Sequence, residues 1–139
     1  MKDKTTTWVD GKREPLISSI EVHKGEPLPH IISKIKENYP MMTDEFDTIL
    51  KRMFELFCKK QDDYGPSNIG LGKAILETDE DMRNSLIGLT IRMNDKIQRL
   101  LNLTLNNKEP NNESVDDTLM DIANYCVMAL IVKDKKWGK

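Results

Sequence analysis

Residues 78–105 of the chain read TDEDMRNSLIGLTIRMNDKIQRLLNLTL. Apolar side chains recur every three or four positions along this stretch: Met82, Leu86, Leu89, Met93, Ile97 and Leu100. Because an α-helix completes a turn in 3.6 residues, this spacing places them on one stripe of a helix. Thr78, followed by three acidic residues, is typical of a helix N-cap. The stretch therefore predicts a long helix that is capped by Thr78 and persists to about Leu105.

A second helical pattern precedes this one. Thr43, followed by Asp44 and Glu45, predicts a capped helix start, and the helix is expected to run to about Asp62. Its apolar stripe consists of Phe46, Ile49, Leu50, Met53 and Phe57. The sequence Tyr64-Gly65-Pro66 predicts the end of this helix, because a glycine followed by a proline does not readily continue helical geometry.

A third helical pattern follows the polar loop at residues 106–112. Ser114 is the predicted N-cap, and Asp117, three residues later, makes a variant of the capping box. The predicted buried stripe of this helix consists of Val115, Leu119, Ile122, Cys126 and Leu130.

The opposite face of the last helix carries Asp117, Asp121 and Asn124 and then turns apolar at Met128 and Val132. A solvated face does not normally become apolar after two turns. We therefore expect the helix to be covered on both sides, by the core and by a second subunit or an active-site wall. A homo-oligomer, by default a dimer, is the resulting expectation.

Residues 1–42 differ from the rest of the chain. They contain the turn pair Asp10-Gly11 and several prolines, and only residues 31–39 resemble a helix. A set of apolar residues, Leu16, Ile17, Ile20 and Val22, is compatible with a short strand or with an arm that clasps another subunit. No segment alternates well enough to predict a sheet. The sequence thus predicts an all-α fold: a small bundle of about four helices at residues 43–135, preceded by an irregular N-terminal arm at residues 1–42.

The amino-acid composition excludes several classes of function. With 21 Lys and Arg against 23 Asp and Glu, the net charge of −2 predicts no non-specific binding to nucleic acid and no attraction to an anionic membrane. No apolar run is long enough to span a bilayer, and the first residues lack the apolar core of a signal peptide, so a cytoplasmic location is expected. Neither a disulfide nor a zinc site is expected from Cys58 and Cys126. His23 and His30 have no partner at ligand spacing, so any metal must be held by oxygen, which points to Mg²⁺ or Mn²⁺.

The last helix carries candidate metal ligands. Glu113, Asp117 and Asp121 are spaced about one helical turn apart, and such carboxylates can hold one or two hard divalent cations. In the alternative interpretation, Asp116 and Asp117 only complement the positive end of the helix, while Asp121 pairs with a cation. The spacing leaves both interpretations open.

The long middle helix carries candidate phosphate ligands. Arg92, Asp95 and Arg99 are spaced three and four residues apart, with Lys96 nearby. The basic side chains can bind phosphate oxygens while Asp95 orients them or holds metal. Ordinary ion pairing within the helix would have the same spacing, so both possibilities stay open.

Lys60 lies on the same side of the first long helix as Met53 and Phe57. This is an unusual place for a lysine unless its ammonium reaches out of the core towards an anion. Asp63 and Tyr64 follow where the helix stops, so their side chains can converge on that ammonium.

Three ordered motifs carry a resemblance to a known family. They are KQDDYG at residues 60–65, RMNDKIQRL at residues 92–100, and Glu113-Ser114 followed by DTLMDIANY at residues 117–125. Together they resemble the nucleotide modification associated domain 1 family of phages and bacteria, over about residues 45–132. The last helix is also similar to the metal-binding helix of the MazG-like all-α nucleoside triphosphate pyrophosphatases.

The resemblance implies a magnesium-dependent nucleotide-binding protein, expected to be an NTP or dNTP pyrophosphohydrolase of phage or bacterial nucleotide metabolism. It would act in the host cytoplasm if it is encoded by a phage. The metal ligands implied are Asp117 and Asp121, with Glu113 and Asp95, and the two last-helix aspartates with Lys60 form the implied catalytic set. The implied phosphate ligands are Lys60, Arg92, Lys96 and Arg99, and the remaining substrate contacts are Asp63, Tyr64, Asn124 and Tyr125.

Two other functions stay open. Thr118 stands where the MazG-like proteins have the Glu of a Glu-x-x-Asp pair, and the first long helix offers no inward Glu-x-x-Glu. A non-catalytic phage protein that binds or sequesters a nucleotide is therefore one alternative. A structural helical partner protein is the other.

Overall fold

The computed structural model describes residues 6–9, 12–15, 25–70 and 73–139. The chain divides into two compact units, residues 1–44 and residues 45–139. In the first unit, strands β1 (Thr6–Val9) and β2 (Lys12–Pro15) pair as an antiparallel hairpin. Helix α1 spans Leu28–Asn38.

The hairpin corrects the expectation that the chain contains no sheet. Each strand is only four residues long, which is too short for an alternating pattern to stand out in the sequence. The pair Val9 and Lys12 closes the hairpin on either side of the predicted Asp10-Gly11 turn. The segment predicted as a strand or arm, from Leu16 to Val22, lies outside the described residues.

Three long helices follow: α2 (Pro40–Tyr64), α3 (Asp79–Leu105) and α4 (Val115–Lys133). They occupy the three segments that the apolar spacing predicts. Apart from the hairpin, the regular structure of the described residues is helical, which confirms the all-α fold class. Within the described part of the chain, no helix is long and apolar enough to cross a membrane.

The predicted caps of α3 and α4 are confirmed. The Thr78 Oγ1 atom accepts a hydrogen bond from the Asp81 amide at 3.0 Å, and the Asp81 carboxylate accepts one from the Thr78 amide at 3.1 Å. Ser114 and Asp117 make the same reciprocal pair of bonds at 3.0 and 3.3 Å. Each capping box satisfies amide groups that the first turn of a helix leaves without partners.

The predicted Thr43 cap is wrong, because α2 already begins at Pro40. Proline suits the first position of a helix: it has no amide hydrogen to satisfy, and its ring fixes a helical φ angle. The Thr43 hydroxyl, now inside the first turn, donates to the carbonyl oxygens of Pro40 at 3.0 Å and Tyr39 at 3.2 Å.

The core of residues 45–139 forms where α3 and α4 pack together. Its most deeply buried apolar side chains are Leu89 of α3 and Val132 of α4, and Met82 and Met128 extend the same contact. Burial of such side chains is the main favourable contribution to the stability of the packed helices.

Trp137, in the tail after α4, anchors the end of α2. Its ring meets Phe57 edge-on at 6.3 Å, and its Nε1 donates to the Pro66 carbonyl oxygen at 2.7 Å. Gly65 has a φ of +67°, a conformation that favours glycine and lets the chain leave α2 sharply. The loop after α2 is therefore held in place from the C-terminal side.

The predicted buried stripe of α4 is wrong. Two of its members, Leu119 and Leu130, are 48% and 59% exposed. The buried residues of α4 are Thr118, Asp121, Asn124, Met128 and Val132. Because α4 is apolar on both faces over its second half, spacing alone could not decide which face meets α3.

Replacing Ser114 with alanine should lower the free energy of unfolding by about 1 kcal/mol, because the first turn of α4 loses a side-chain acceptor. Urea denaturation would measure the difference. Thr104→Ala, at an exposed site near the end of α3, is the control and should change stability by less than about 0.5 kcal/mol. An S114A protein as stable as the wild type would contradict the role of the cap.

Candidate functional site: a cation-lined pocket around Asp121

The Asp121 carboxylate lies where α2, α3 and α4 meet, and the residue is only 7% exposed. The Lys60 ammonium of α2 donates to its Oδ1 atom. The Lys96 ammonium of α3 lies 2.8 Å from its Oδ2 atom. One buried carboxylate thus joins all three long helices, and both of its oxygens are occupied by ammonium groups.

These contacts determine the charge states of the group. Burial alone would raise the pKa of Asp121, but the hydrogen bonds from Lys60 and Lys96 outweigh it and lower the pKa. Burial alone would likewise lower the pKa of Lys96, but its hydrogen bonds to Asp121 and Glu113 raise the pKa instead. The carboxylate and the ammonium are therefore both charged at neutral pH.

Further contacts connect these paired side chains to the loop between α3 and α4 and to the start of α4. The Lys96 ammonium binds both oxygens of Glu113, at 2.6 and 2.7 Å. Arg99 donates to the Thr118 hydroxyl and to the Glu113 carbonyl oxygen. Lys96 and Arg99 are therefore engaged in contacts that fix the start of α4.

A cavity of about 280 Å³ opens beside Asp121. Three aromatic side chains line it: Phe57, Tyr64 and Tyr125. Its cationic groups are Lys60 and Arg92, and Asp121 supplies the carboxylate. The pocket therefore combines ring surfaces with positive charge.

Arg92 is exposed and positioned by the loop after α2. Its Nη2 atom donates to the carbonyl oxygen of Asn68 at 3.1 Å. The salt bridges found among the described residues include no pair between Asp95 and either Arg92 or Arg99. The intrahelical ion pairs considered from the sequence are thus not formed, and the remaining donors of Arg92 can bind an anion.

Two polar side chains on the wall of the pocket have unsatisfied buried atoms. Oδ1 of Asn68 and Nδ2 of Asn124 have no hydrogen-bond partner within the described part of the protein. A buried polar group without a partner costs stability. In each of these two residues, one amide atom is therefore left to bond to a polar ligand, Oδ1 of Asn68 as an acceptor and Nδ2 of Asn124 as a donor.

The structure brings together six of the predicted site residues on this pocket: Lys60, Tyr64, Arg92, Asp121, Asn124 and Tyr125. Asp63 and Asp95 are exposed and do not line it, and Lys96, Arg99 and Glu113 form the supporting network instead. The residues that sequence reasoning missed are Phe57 as a pocket wall, Gln61, Asn68 and Met128. Gln61 could have been predicted as a pocket residue because it follows Lys60 in the same motif. Asn68 could not, because its place in the pocket depends on the path of the loop in the tertiary structure.

The carboxylates predicted as metal ligands do not form one cluster. The Asp117 Oδ2 atom accepts hydrogen bonds from the hydroxyl and amide of Ser114, at 2.7 and 3.3 Å. Glu113 and Asp121 are bound to lysines. Among the described residues, no three His, Cys, Asp or Glu side chains are placed to hold a metal ion. The donor set therefore does not fit the Mg²⁺ or Mn²⁺ site that the resemblance implies.

These features define a small helical protein with a polar, cation-lined pocket. The chain belongs to the nucleotide modification associated domain 1 family, whose model matches residues 60–132, just over half of the chain. The matched range contains α3, all of α4 but its last residue, and every pocket residue except Phe57, which confirms the resemblance to this family. The comparisons with curated proteins and with solved structures gave no match, so the likeness to MazG-like proteins stays a prediction.

Asp121→Asn should lower the free energy of unfolding by about 2 kcal/mol at neutral pH, because two lysines lose their charged partner. The pKa of Asp121 is lowered in the folded protein, so its contribution is present above the ordinary value of 3.8 and is lost as the pH falls through the lower folded value. The difference between wild type and variant should therefore shrink below pH 3.8.

Urea denaturation across a pH series would measure this. Asp62→Asn, at an exposed position on α2, is the matched control and should show a small difference at every pH. A loss of stability in D121N that stays constant as the solution is acidified would contradict the proposed ionic role.

Proposed function

We propose that the pocket around Asp121 binds a nucleotide, and that this binding is the function of the residue 45–139 unit. The observation that carries the proposal is the lining of one pocket: two cations, three aromatic rings and two amide side chains with unsatisfied buried atoms. Membership in a family associated with nucleotide modification supports the same ligand class.

Each part of the lining matches one part of a nucleotide. Lys60 and Arg92 provide charge-assisted hydrogen bonds for phosphate oxygens. Tyr64 and Tyr125 offer ring faces on which a base can stack. Asn124 can donate to and accept from a polar base edge or a sugar hydroxyl.

The pocket is large enough to enclose part of a nucleotide, and the rest of the ligand would remain exposed to solvent. Small-molecule sites usually measure roughly 300–1,000 Å³, and this cavity of about 280 Å³ lies just below that range. Tyr64 is 66% exposed at its rim, so it is free to close over a base. The terminal phosphates of a triphosphate would extend towards solvent.

Lys60→Ala and Arg92→Ala should each weaken nucleotide binding about tenfold, because each removes one charge-assisted hydrogen bond. Isothermal titration calorimetry with the common ribonucleoside and deoxyribonucleoside triphosphates would measure the dissociation constants. Lys59→Ala and Arg83→Ala remove the same charges at exposed positions outside the pocket and serve as matched controls.

Equal losses in the controls would mean that binding follows overall charge and would contradict the assigned site. Unchanged binding in both pocket variants would favour a structural helical partner protein. Thermal unfolding of every variant would separate loss of binding from loss of fold.

Hydrolysis of NTP or dNTP to monophosphate and pyrophosphate stays a prediction. It derives from the resemblance, and the arrangement of carboxylates favours the non-catalytic binder. Pyrophosphate release from the same nucleotide panel, with Mg²⁺ or Mn²⁺, is the direct test. Metal-dependent release by the wild type would establish the hydrolase.

We also propose that the exposed apolar surface of α2 and α4 forms an interface with a second copy of the chain. Leu50 and Val127 line one groove between these helices, and Ile49 and Leu119 line another. Their side chains are all between 37% and 48% exposed. Single exposed apolar residues are ordinary, but a contiguous apolar surface on two neighbouring helices is typical of an interface.

Leu130→Glu, on the exposed side of α4, should shift the protein from dimer to monomer in analytical ultracentrifugation, because a carboxylate would be buried in the interface. Leu105→Glu changes an equally apolar residue, 79% exposed at the end of α3, and should leave the dimer unchanged. A wild-type mass equal to that of a monomer at all concentrations would refute the proposed interface.

A further inference from the structure

We propose that this pocket binds the phosphates of its nucleotide without a divalent cation, with the Lys60 ammonium in the cation's place, and that Asp121 is the residue that positions this ammonium. This inference rests on the proposed nucleotide binding. It adds the chemical form of the ligand, a metal-free nucleotide anion, and a positioning role for Asp121.

Ammonium groups already occupy both carboxylate oxygens of Asp121. Lys60 contacts Oδ1, and Lys96 lies 2.8 Å from Oδ2. A divalent cation bound to either oxygen would lie beside two ammonium groups, and like charges at such distances repel strongly where water is largely excluded. The side chain of Asp121 is only 10% exposed, so solvent screens this repulsion poorly.

The two carboxylates predicted to share a cation with Asp121 are engaged in other contacts. Glu113 is bound to Lys96 through both oxygens, and Asp117 belongs to the capping box of α4. Hard divalent cations take several oxygen ligands, and carboxylates are the usual protein donors. Both of these carboxylates are thus already engaged, Glu113 by a lysine and Asp117 by the amide and hydroxyl of Ser114.

Lys60 is placed and held so that its ammonium can meet a ligand in the pocket. Its side chain is 39% exposed and lines the pocket, while its ammonium is held by Asp121. A lysine on a free four-carbon stem samples many rotamers, and ordering it on binding costs affinity. The contact with Asp121 orders the Lys60 side chain before the ligand binds. Lys96 in turn holds the Asp121 carboxylate in place.

The net charge of the side chains around Asp121 favours an anionic ligand. Lys60, Lys96 and Arg92 supply three cations around two carboxylates, those of Asp121 and Glu113. The site therefore keeps a net positive charge after its internal pairs are formed. A metal-free phosphate group carries more negative charge than its magnesium complex and gains more from this field.

The test compares nucleotide binding in excess EDTA with binding in excess MgCl₂. The probes are the common ribonucleoside and deoxyribonucleoside triphosphates, with inorganic tripolyphosphate beside them, in calorimetric titrations of the full chain. The expected result is binding in EDTA that is at least as tight as in MgCl₂. Binding that appears only with MgCl₂ would overturn this inference and leave the proposed nucleotide site standing. No binding in either buffer would overturn both.

A double-mutant cycle tests the positioning role. Asp121→Asn should weaken binding in EDTA by about fivefold, through the lost order of Lys60. In the Lys60→Ala background the same change should have almost no effect, because Asp121 acts through Lys60. Asp62→Asn, which removes an exposed carboxylate from α2, controls for the general loss of negative charge.

A merely structural role for Asp121 would lower affinity equally in both backgrounds and would overturn the assignment. Tighter binding by D121N would also overturn it, because that result would mean that Asp121 only opposes the anion. Thermal unfolding of the four proteins in the cycle shows that each is folded at the temperature of titration.

Discussion

The carboxylate of Asp121, held between the ammonium groups of Lys60 and Lys96, is the interaction on which the helical unit depends. A buried charge is costly unless it is paired, so α2 and α3 must each place a lysine at this point of α4. Lys96 also binds Glu113, and this ties the loop before α4 into the same group. The relative positions of the three helices are thus constrained by one network of charges as well as by apolar packing.

The pocket is a consequence of that constraint. Lys60 reaches Asp121 from the C-terminal half of α2, close to the point where Gly65 turns the chain away. Trp137 then holds the following loop by its bond to the Pro66 carbonyl oxygen. The loop in turn presents Asn68 to Arg92. The cavity results because the charged network and the anchored loop leave a gap between the helices.

Most of the secondary structure could be predicted from the sequence, because helix starts and apolar spacing are local signals. The capping boxes of Thr78 and Ser114 are two examples. The membership of residues 60–132 in a family could also be predicted, from three motifs in fixed order. The role of Asp117 could not: in the sequence the same carboxylate fits a cap or a metal ligand equally well, and only the structure shows that it caps α4 through Ser114.

The sequence by itself determined the three long helical segments, the N-caps of α3 and α4, the family to which the chain belongs, and Lys60, Arg92 and Asp121 as candidate site residues. Only the tertiary structure decided which face of α4 is buried, since that helix is apolar on both sides and its period fits either orientation. The choice buries Asp121 against two lysines and leaves Leu119 exposed. Pairing a charge across three helices is a long-range property, and no local spacing encodes it.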